Sequence, residues 1–354
     1  MEKIFLCGYN DKVVYPRFHR KAAHKKDITG LVPKHKEEQA MKYGFGVDLG
    51  GTTVKLAYFD EEGNMLSKWE IPTDTSEQGA RILPDIAAAI AGYIEENHID
   101  RSTLLGIGIG VPGPVDALGV VNRCINLGWG VFNVEQTLEK LTDLPVRAGN
   151  DATAAALGEC WKGGGKGSRN MLFVTLGTGV GGGIIVEGQA LYGAHGAGGE
   201  IGHMTINREE TKICTCGKYG CVEQYASATG VAWLARKALA ACDTPSVLRD
   251  VDIITCKDVF DAGNEGDALA LQVLDQVFRY LGEFLGNVCS VVNPEVVVLG
   301  GGVSKAGQPL LDGAQRYFGD HVFHAAKNVR FELATLGNDA GAYGAFKLLV
   351  PRKA

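Results

Sequence analysis

The sequence lacks the features that mark several classes of protein. No apolar run approaches the roughly 18–20 residues of a membrane-spanning helix, and the opening stretch MEKIFLCGYNDK is too weakly apolar for a secretory signal. Basic residues are not in excess, since 35 Lys and Arg stand against 41 Asp and Glu, for a net charge of −6. Nine cysteines, an odd number, argue against a disulfide framework and for a reducing compartment. We therefore expect a cytoplasmic protein with no membrane and no nucleic-acid partner.

Glycine, in contrast, is abundant. The 49 glycines make up about 14% of the chain, roughly twice the usual share, and the lack of a G-X-Y period excludes collagen. They cluster beside apolar segments, as in GVDLGGTT, TLGTGVGGGII and VVVLGGG. Because glycine lets a ligand approach the backbone closely, this clustering indicates loops that hold phosphate groups.

Strand and helix patterns alternate from Tyr43 onward, which predicts an α/β architecture, and the length suggests roughly two domains. Apolar spacing over residues 76–97 predicts a helix with Ser76 available as its cap. Residues 47–52 resemble residues 174–179, and each segment is a Gly/Thr turn between two strands. This weak internal repeat predicts two similar α/β units with a cleft between them; chance similarity of two glycine-rich hairpins is the alternative.

Residues 1–40 differ in composition from the remainder. They hold nine basic and five acidic residues, a net of +4, so that residues 41–354 carry −10. Sustained periodicity is missing, and we interpret the segment as an irregular basic N-terminal extension. A second hypothesis is that Met41 is the natural start, which N-terminal sequencing of the native protein would test.

The turn DLGGTT, residues 48–53, is the first candidate site. A turn of Gly and Thr exposes consecutive N–H groups and hydroxyls that can hold phosphate oxygens. Asp48 could hold Mg²⁺ through water, and Lys55 lies just beyond the turn and adds positive charge. The turn joins two strands, so it is neither a Walker loop nor a dinucleotide fingerprint. A plain hairpin is the alternative, but the second turn in TLGTGVGG, residues 175–182, favours phosphate binding.

The segment GNDATAAALGE places Asn150 and Asp151 where a strand ends and a helix begins. Both residue types are common at helix N-termini, so simple capping is one interpretation. Open α/β folds also bind ligands at the carboxyl edge of a sheet. An aspartate there can accept the proton of a hydroxyl that attacks a phosphoryl group. The sequence leaves capping and catalysis open as alternatives.

The most specific segment contains three thiols within eight residues, in ICTCGKYGCVE, and a histidine eleven positions upstream. Cys₃His is a known structural zinc set. The candidate ligands are His203, Cys214, Cys216 and Cys221. If zinc binds one ring nitrogen of His203, the other is free to hydrogen-bond a substrate hydroxyl. With Glu200 and Glu223 nearby, these groups suit a sugar, whose hydroxyls both donate and accept.

These motifs, taken together and in order, resemble the ROK family of sugar kinases, most closely its bacterial ATP-dependent glucokinases. The resemblance covers residues 41–354 and rests on GVDLGGTTVK, GIGIGVPGPVD, NLGW, GNDATAAALGE, TLGTGVGGGI, GAGGEIGH, CTCGKYGCVE and VVVLGGG. It implies a two-lobed, actin-like (ribonuclease-H-like) α/β fold with a structural zinc site. We expect a small domain of residues 41–157 plus 338–354, and a large domain of residues 158–337 that carries the zinc motif.

The resemblance also implies roles for individual residues. Asp151 would be the general base for the 6-hydroxyl of glucose, which ATP and Mg²⁺ convert to glucose 6-phosphate. The implied sugar-binding residues are Asn150, Asp151, Glu200, His203 and Glu223. The implied nucleotide-binding residues are Asp48, Gly50, Gly51, Thr52, Thr53, Lys55, Gly177, Thr178, Gly179, Gly300, Gly301 and Gly302. His203 and the three cysteines would hold Zn²⁺.

Other functions stay open at this point. Fructose, mannose, allose or N-acetylmannosamine could replace glucose, because the pocket residues do not separate epimers, and polyphosphate could replace ATP. Some ROK members are sugar-responsive repressors that carry a DNA-binding helix-turn-helix module. Such a module needs about three helices before the first hairpin, and forty irregular residues are too few for it. The intact Asp151 also favours catalysis. A purely structural zinc protein would leave both phosphate turns unexplained. The resemblance suggests a homodimer or homotetramer.

Overall fold

The structure is a computed structural model that describes residues 41–350. The expected basic extension over residues 1–40 lies outside the described residues. Within residues 41–350, none of the helices has both the length and the apolar character that crossing a lipid bilayer would require.

Strands and helices alternate along the described residues, as the sequence predicts. The strands are β1 Tyr43–Leu49, β2 Thr53–Asp60, β3 Met65–Pro72, β4 Leu104–Val111, β5 Val120–Cys124, β6 Trp129–Asn133, β7 Val146–Asn150, β8 Met171–Leu176, β9 Val180–Val186, β10 Gln189–Ala190, β11 Val296–Gly300 and β12 Arg330–Leu333. The α-helices are α1 Ile82–Glu96, α2 Val134–Thr142, α3 Asp151–Lys162, α4 Glu223–Ala226, α5 Ala228–Ala241, α6 Cys256–Asn264, α7 Ala268–Val292, α8 Gln308–His321 and α9 Ala340–Lys347.

Two five-stranded sheets repeat one topology. The first has the order β3-β2-β1-β4-β7, in which β1 to β3 are antiparallel neighbours and β4 and β7 continue in parallel with β1. The second has the order β10-β9-β8-β11-β12, with the same two antiparallel and two parallel pairings. The β1–β2 and β8–β9 hairpins therefore occupy equivalent places. This correspondence confirms the internal repeat and the α/β class, and both sheets are mixed.

The helix predicted over residues 76–97 is shorter than expected. Residues Ser76–Gly79 form a separate 3₁₀ turn in which Glu77 and Gln78 adopt left-handed φ values of 48° and 60°, and α1 begins only at Ile82. No side chain caps α1, so the expectation that Ser76 caps it is wrong. The indole of Trp129 donates to the carbonyl of Gly79 at 3.2 Å, and this distant contact holds the turn out of the helix.

Helices α3 and α9 pack backbone to backbone. Helix α3 follows β7 of the first sheet and α9 follows β12 of the second, so this contact joins the two halves of the fold. A Cβ atom at Gly344 would collide with the carbonyl oxygen of Ala154, so only glycine permits this approach. On its other side α9 lies equally close to the first sheet, where a Cβ at Gly108 would collide with the carbonyl oxygen of Ala345. Helix α3 begins directly after β7, so this packing fixes the helix that carries Asp151.

Candidate active site

The β1–β2 turn presents charged groups to a cavity. Asp48 and Lys55 lie opposite one another in the β1–β2 register, and Lys55 Nζ is 3.5 Å from Asp48 Oδ2. Lys55 also donates to the carbonyl of Asn338 at 3.3 Å. Burial raises the pKa of the Asp48 carboxyl, and the charge of Lys55 opposes that rise. Lys55 therefore joins the first sheet to the segment before α9 and does not project freely.

This first cavity has a volume of about 530 Å³ and lies between the two sheets. Its lining includes Asp48, Lys55, Asp151, Thr175, Gly301, Gly302 and Asn338. Of the other predicted nucleotide-binding residues, Gly50, Gly51 and Thr52 form the first turn and Thr53 begins β2, and none of them is in this lining. Gly300 is the fully buried last residue of β11 and packs against Phe173, outside the cavity lining.

A second cavity of about 490 Å³ adjoins the first. Its lining includes Gly113, Asn126, Asn150, Asp151, Gly177, Gly179, Glu200 and Glu223. Thr178 is exposed at the tip of the second turn, and its carbonyl accepts a hydrogen bond from Thr229. Asp151, Ala152 and Thr175 line both cavities, so the carboxylate of Asp151 lies at their junction.

Asn150, and not Asp151, caps α3. The Asn150 Oδ1 accepts from the backbone N–H of Thr153 at 3.0 Å, while its Nδ2 donates to Asp151 Oδ1 at 2.9 Å and to the Gly113 carbonyl at 3.1 Å. Asp151 Oδ1 also accepts from the Ala152 N–H at 2.8 Å. Among residues 41–350 no group donates to Asp151 Oδ2. Capping therefore explains Asn150 and leaves one Asp151 oxygen available to a ligand.

Burial raises the pKa of Asp151 to about 6, and the negative charges of Asp48 and Glu200 add to this rise. The hydrogen bonds from Ala152 and Asn150 act in the opposite direction. Carboxyl groups with raised pKa values are typical of sites that transfer protons near neutral pH. Asp151, at the junction of the two cavities, therefore has the properties of a general base.

The four predicted zinc ligands converge. Cys214 Sγ is 3.7 Å from His203 Nδ1, Cys216 Sγ is 3.6 Å from Cys221 Sγ, and all four ligand atoms lie within 4.8 Å of one another. Tetrahedral zinc with bonds of about 2.0–2.3 Å places its ligand atoms roughly 3.5–3.8 Å apart. The sulfur separation is too long for a disulfide, and the thiols are free. The donor set and its spacing fit a zinc ion.

Glu223 links the cysteine loop to the second cavity. Its Oε2 accepts from the Val180 N–H at 3.0 Å, and its Oε1 accepts from the Thr215 hydroxyl at 3.1 Å. Val180 begins β9 and Thr215 lies between two of the cysteines. His203 is half-buried beside the thiols and is not among the residues that line the second cavity. Glu223 is therefore a direct link between the cysteine loop and the second cavity.

Sequence reasoning missed several lining residues. Asn126 lines the second cavity, and its motif NLGW belongs to the family resemblance but indicates no role for the residue. Ser304 and Lys305 line the first cavity directly after the GGG run, which could have indicated them. Asn338 and the buried Glu159 also line the first cavity, and no local pattern marks either of them. Their places depend on contacts between distant segments.

The fold is an α/β fold with two mixed sheets and two adjoining cavities, and comparison with known proteins identifies its family. Residues 44–352 match the model of the ROK family, and the chain belongs to that family. It is 45% identical over 304 residues to a glucokinase of Halalkalibacterium halodurans, covering 84% of this chain and 92% of the relative. A Thermotoga maritima glucokinase is 33% identical over 313 residues, covering 87% of this chain and 97% of the relative.

Among solved structures, the ROK family glucokinase from Streptomyces griseus in complex with glucose and AMPPNP is similar to this chain. The TM-score is 0.69 at 33% identity, and the match covers 87% of this chain and 99% of that one. The expected resemblance to ROK sugar kinases is confirmed in both sequence and fold.

Proposed function

We propose that the chain is an ATP-dependent glucokinase that transfers the γ-phosphoryl group of ATP to the 6-hydroxyl of glucose. The observation that carries the proposal is the position of Asp151 at the junction of the two cavities. A phosphoryl donor in the first cavity and a hydroxyl in the second would meet at its carboxylate. The similarity to the H. halodurans glucokinase and to the S. griseus enzyme with glucose and AMPPNP supports this assignment.

Asp151 orients and deprotonates the attacking hydroxyl in this mechanism. Its Oδ1 is held by the Ala152 N–H and the Asn150 amide, which leaves Oδ2 to accept the proton. A pKa of about 6 keeps the group ionised at neutral pH and still basic enough to take a proton as the hydroxyl attacks. General-base assistance of this kind is worth about 10²–10⁴-fold in rate.

Glucose occupies the second cavity, where carboxylates accept from its hydroxyls. Glu200 and Glu223 supply these acceptors. His203 lies outside this lining, and in the proposal it reaches the sugar with the ring nitrogen that faces away from the cysteines. The amide of Asn150 is already engaged by Thr153, Asp151 and Gly113. We therefore assign Asn150 chiefly to holding the Asp151 carboxylate, with a lesser contact to the sugar.

ATP occupies the first cavity, with its phosphates at the two glycine turns. The two turns act as anion nests for phosphate oxygens through residues 51–53 and 178–179, since the N–H groups of Gly50 and Gly177 are hydrogen-bonded within the turns. Gly301 and Gly302, which line the first cavity, let the nucleotide lie close to the backbone. Asp48 is an oxygen donor facing the cavity, which suits Mg²⁺ held through water. When bound, Mg²⁺ would neutralise charge on the phosphates.

A structural zinc ion is held by His203 and the three cysteines in this proposal. Coordination of Nδ1 would fix the ring and its tautomer, so that the remaining nitrogen keeps one orientation toward the sugar. We also propose that residues 41–157 with 338–354, and residues 158–337, act as two domains that close around glucose. Closure would exclude water, which is the competing acceptor of the phosphoryl group.

The test is an ADP-release assay across a panel of sugars, with ATP and with polyphosphate as donors. We expect glucose to give the highest kcat/KM, and ATP to be the better donor. If the enzyme prefers fructose, mannose, allose or N-acetylmannosamine, the proposed substrate is wrong but the assignment as a sugar kinase stands. Absence of sugar-dependent ADP release with every sugar, together with sugar-sensitive DNA binding, would instead indicate a repressor.

A further inference from the structure

We propose that Glu159, in the second half of α3, is a positioning residue that holds the nucleotide-side wall of the first cavity. The inference rests on the proposed function, because it concerns how that cavity receives ATP. Glu159 is fully buried, with 0% of its surface exposed, and among the charged side chains whose burial the structure describes only Asp60 is also buried. A carboxylate remains in such a place only where hydrogen bonds replace its lost hydration.

Three backbone N–H groups supply those hydrogen bonds. Glu159 Oε2 accepts from Gly164 at 2.8 Å and from Thr335 at 3.1 Å, and Oε1 accepts from Leu336 at 2.9 Å. Gly164 follows α3 in the chain, whereas Thr335 and Leu336 belong to residues 334–339, which we call the β12–α9 loop. Hydrogen bonds to an ionised acceptor are roughly twice as strong as neutral ones, so the carboxylate ties this loop firmly to α3.

The β12–α9 loop forms part of the cavity wall and reaches the first sheet. Its residues Ala334, Gly337 and Asn338 line the first cavity. The Asn338 carbonyl accepts from Lys55, which pairs with Asp48 at the first phosphate turn. A displacement of the β12–α9 loop would therefore move the cavity wall and also disturb the Lys55–Asp48 pair at the first phosphate turn.

Helix α3 also fixes how far this wall lies from the reacting groups. Asp151 is its first residue and Glu159 follows eight residues later, a separation of about 12 Å along the helix axis. A single rigid helix thus carries the proposed base at one end and the anchor of the nucleotide wall further along. Glu159 borders only the first cavity, and its carboxylate is taken up by backbone N–H groups of Gly164 and the loop, so its loss should affect nucleotide binding more than glucose binding.

The test is Glu159→Gln, which keeps the size of the side chain. One of its two terminal groups becomes an NH₂ that faces backbone donors, so at least one hydrogen bond is lost. We expect the ATP KM and the dissociation constant for AMPPNP to rise about tenfold, with the glucose dissociation constant changed less than about twofold. The matched control is Glu295→Gln, because Glu295 also accepts two backbone N–H groups, at 2.9 Å each, but is exposed and lies outside both cavities. It should leave both affinities unchanged.

The outcomes separate this inference from the proposed function. If the wild-type chain binds no AMPPNP in calorimetry, the proposed function fails and the inference fails with it. If the wild type binds AMPPNP and Glu159→Gln binds it equally well, or loses nucleotide and glucose affinity alike, the positioning role alone is refuted. Should the variant not fold, amide exchange on the wild type decides. If amide exchange at Thr335 and Leu336 is slower with AMPPNP but not with glucose alone, the role is supported. If the exchange rates of these two amides are the same with and without AMPPNP, the role is refuted.

Discussion

Replacing Asp151 by asparagine should make the protein inactive and more stable at once. Asparagine keeps an oxygen that can accept from Ala152, but its NH₂ group cannot take a proton from the sugar hydroxyl. We expect kcat to fall about 10²–10⁴-fold, the range that a general base supplies. The glucose dissociation constant should change less than about threefold, because the second cavity keeps its other lining groups.

The gain in stability follows from the pKa of Asp151. Burial raises this pKa from 3.8 to about 6, so the ionised carboxylate destabilises the fold above pH 6 by at most about 2–3 kcal/mol. The native state then binds protons more readily than the unfolded chain, and this cost disappears as the pH falls below about 4. Asp151→Asn should therefore exceed the wild type in stability at pH 8 and lose that advantage toward pH 4.

Two assays check the prediction, namely ADP release under saturating substrates and chemical denaturation at pH 8 and pH 4.5. Asp252→Asn is the control, because Asp252 is exposed, lies outside the helices and strands and lines neither cavity, and it should alter neither quantity. Near-normal turnover of Asp151→Asn would remove Asp151 from the role of base. Lower stability of the variant at pH 8 would show that the carboxylate is a structural group.

Three further predictions concern the same cleft. The wild-type kcat should fall about tenfold per pH unit below pH 6, as Asp151 becomes protonated, and a flat profile down to pH 5 would contradict this. Cys216→Ala should lose bound zinc, measured by atomic emission, and weaken glucose binding, because His203 loses its anchor; unchanged glucose affinity in the metal-free variant would refute the coupling. Lys55→Met should raise the ATP KM about tenfold and leave the glucose KM unchanged, since it removes a cation from the first cavity; equal effects on both substrates would count against a nucleotide role.

Features set by local chemistry could be predicted from the sequence. The apolar run of β4 is buried, which is typical of a strand in the middle of a sheet, and the two Gly/Thr turns occupy equivalent places in the two sheets. The cysteine spacing also brings four ligand atoms together, because three of them lie in one short loop. In each case the decisive residues are neighbours in the chain.

Features set by distant contacts could not be predicted. The start of α1 depends on Trp129, which is 50 residues away and binds the Gly79 carbonyl. The choice of Asn150 as the cap depends on Gly113, which accepts from the same amide and orients it. Glu159 bonds to residues more than 170 positions later, so its sequence context gives no sign of its partners. Helix propensity and residue spacing describe one segment at a time, so they do not predict hydrogen bonds between residues that are far apart in the chain.

The packing of α9 has a consequence for how the protein folds as it is synthesised. This helix lies against β1, among the first described elements, and against α3, which carries Asp151, although it comes near the end of the described residues. Neither the first sheet nor the helix of the proposed base can reach its final packing until α9 has been translated. Such contacts between distant parts of a chain slow folding and delay it until late in synthesis. A ribosome that stops before residue 340 would therefore release a chain without the helix whose first residues, Ala340 and Gly341, line the first cavity, and such chains should be substrates for chaperones and proteases.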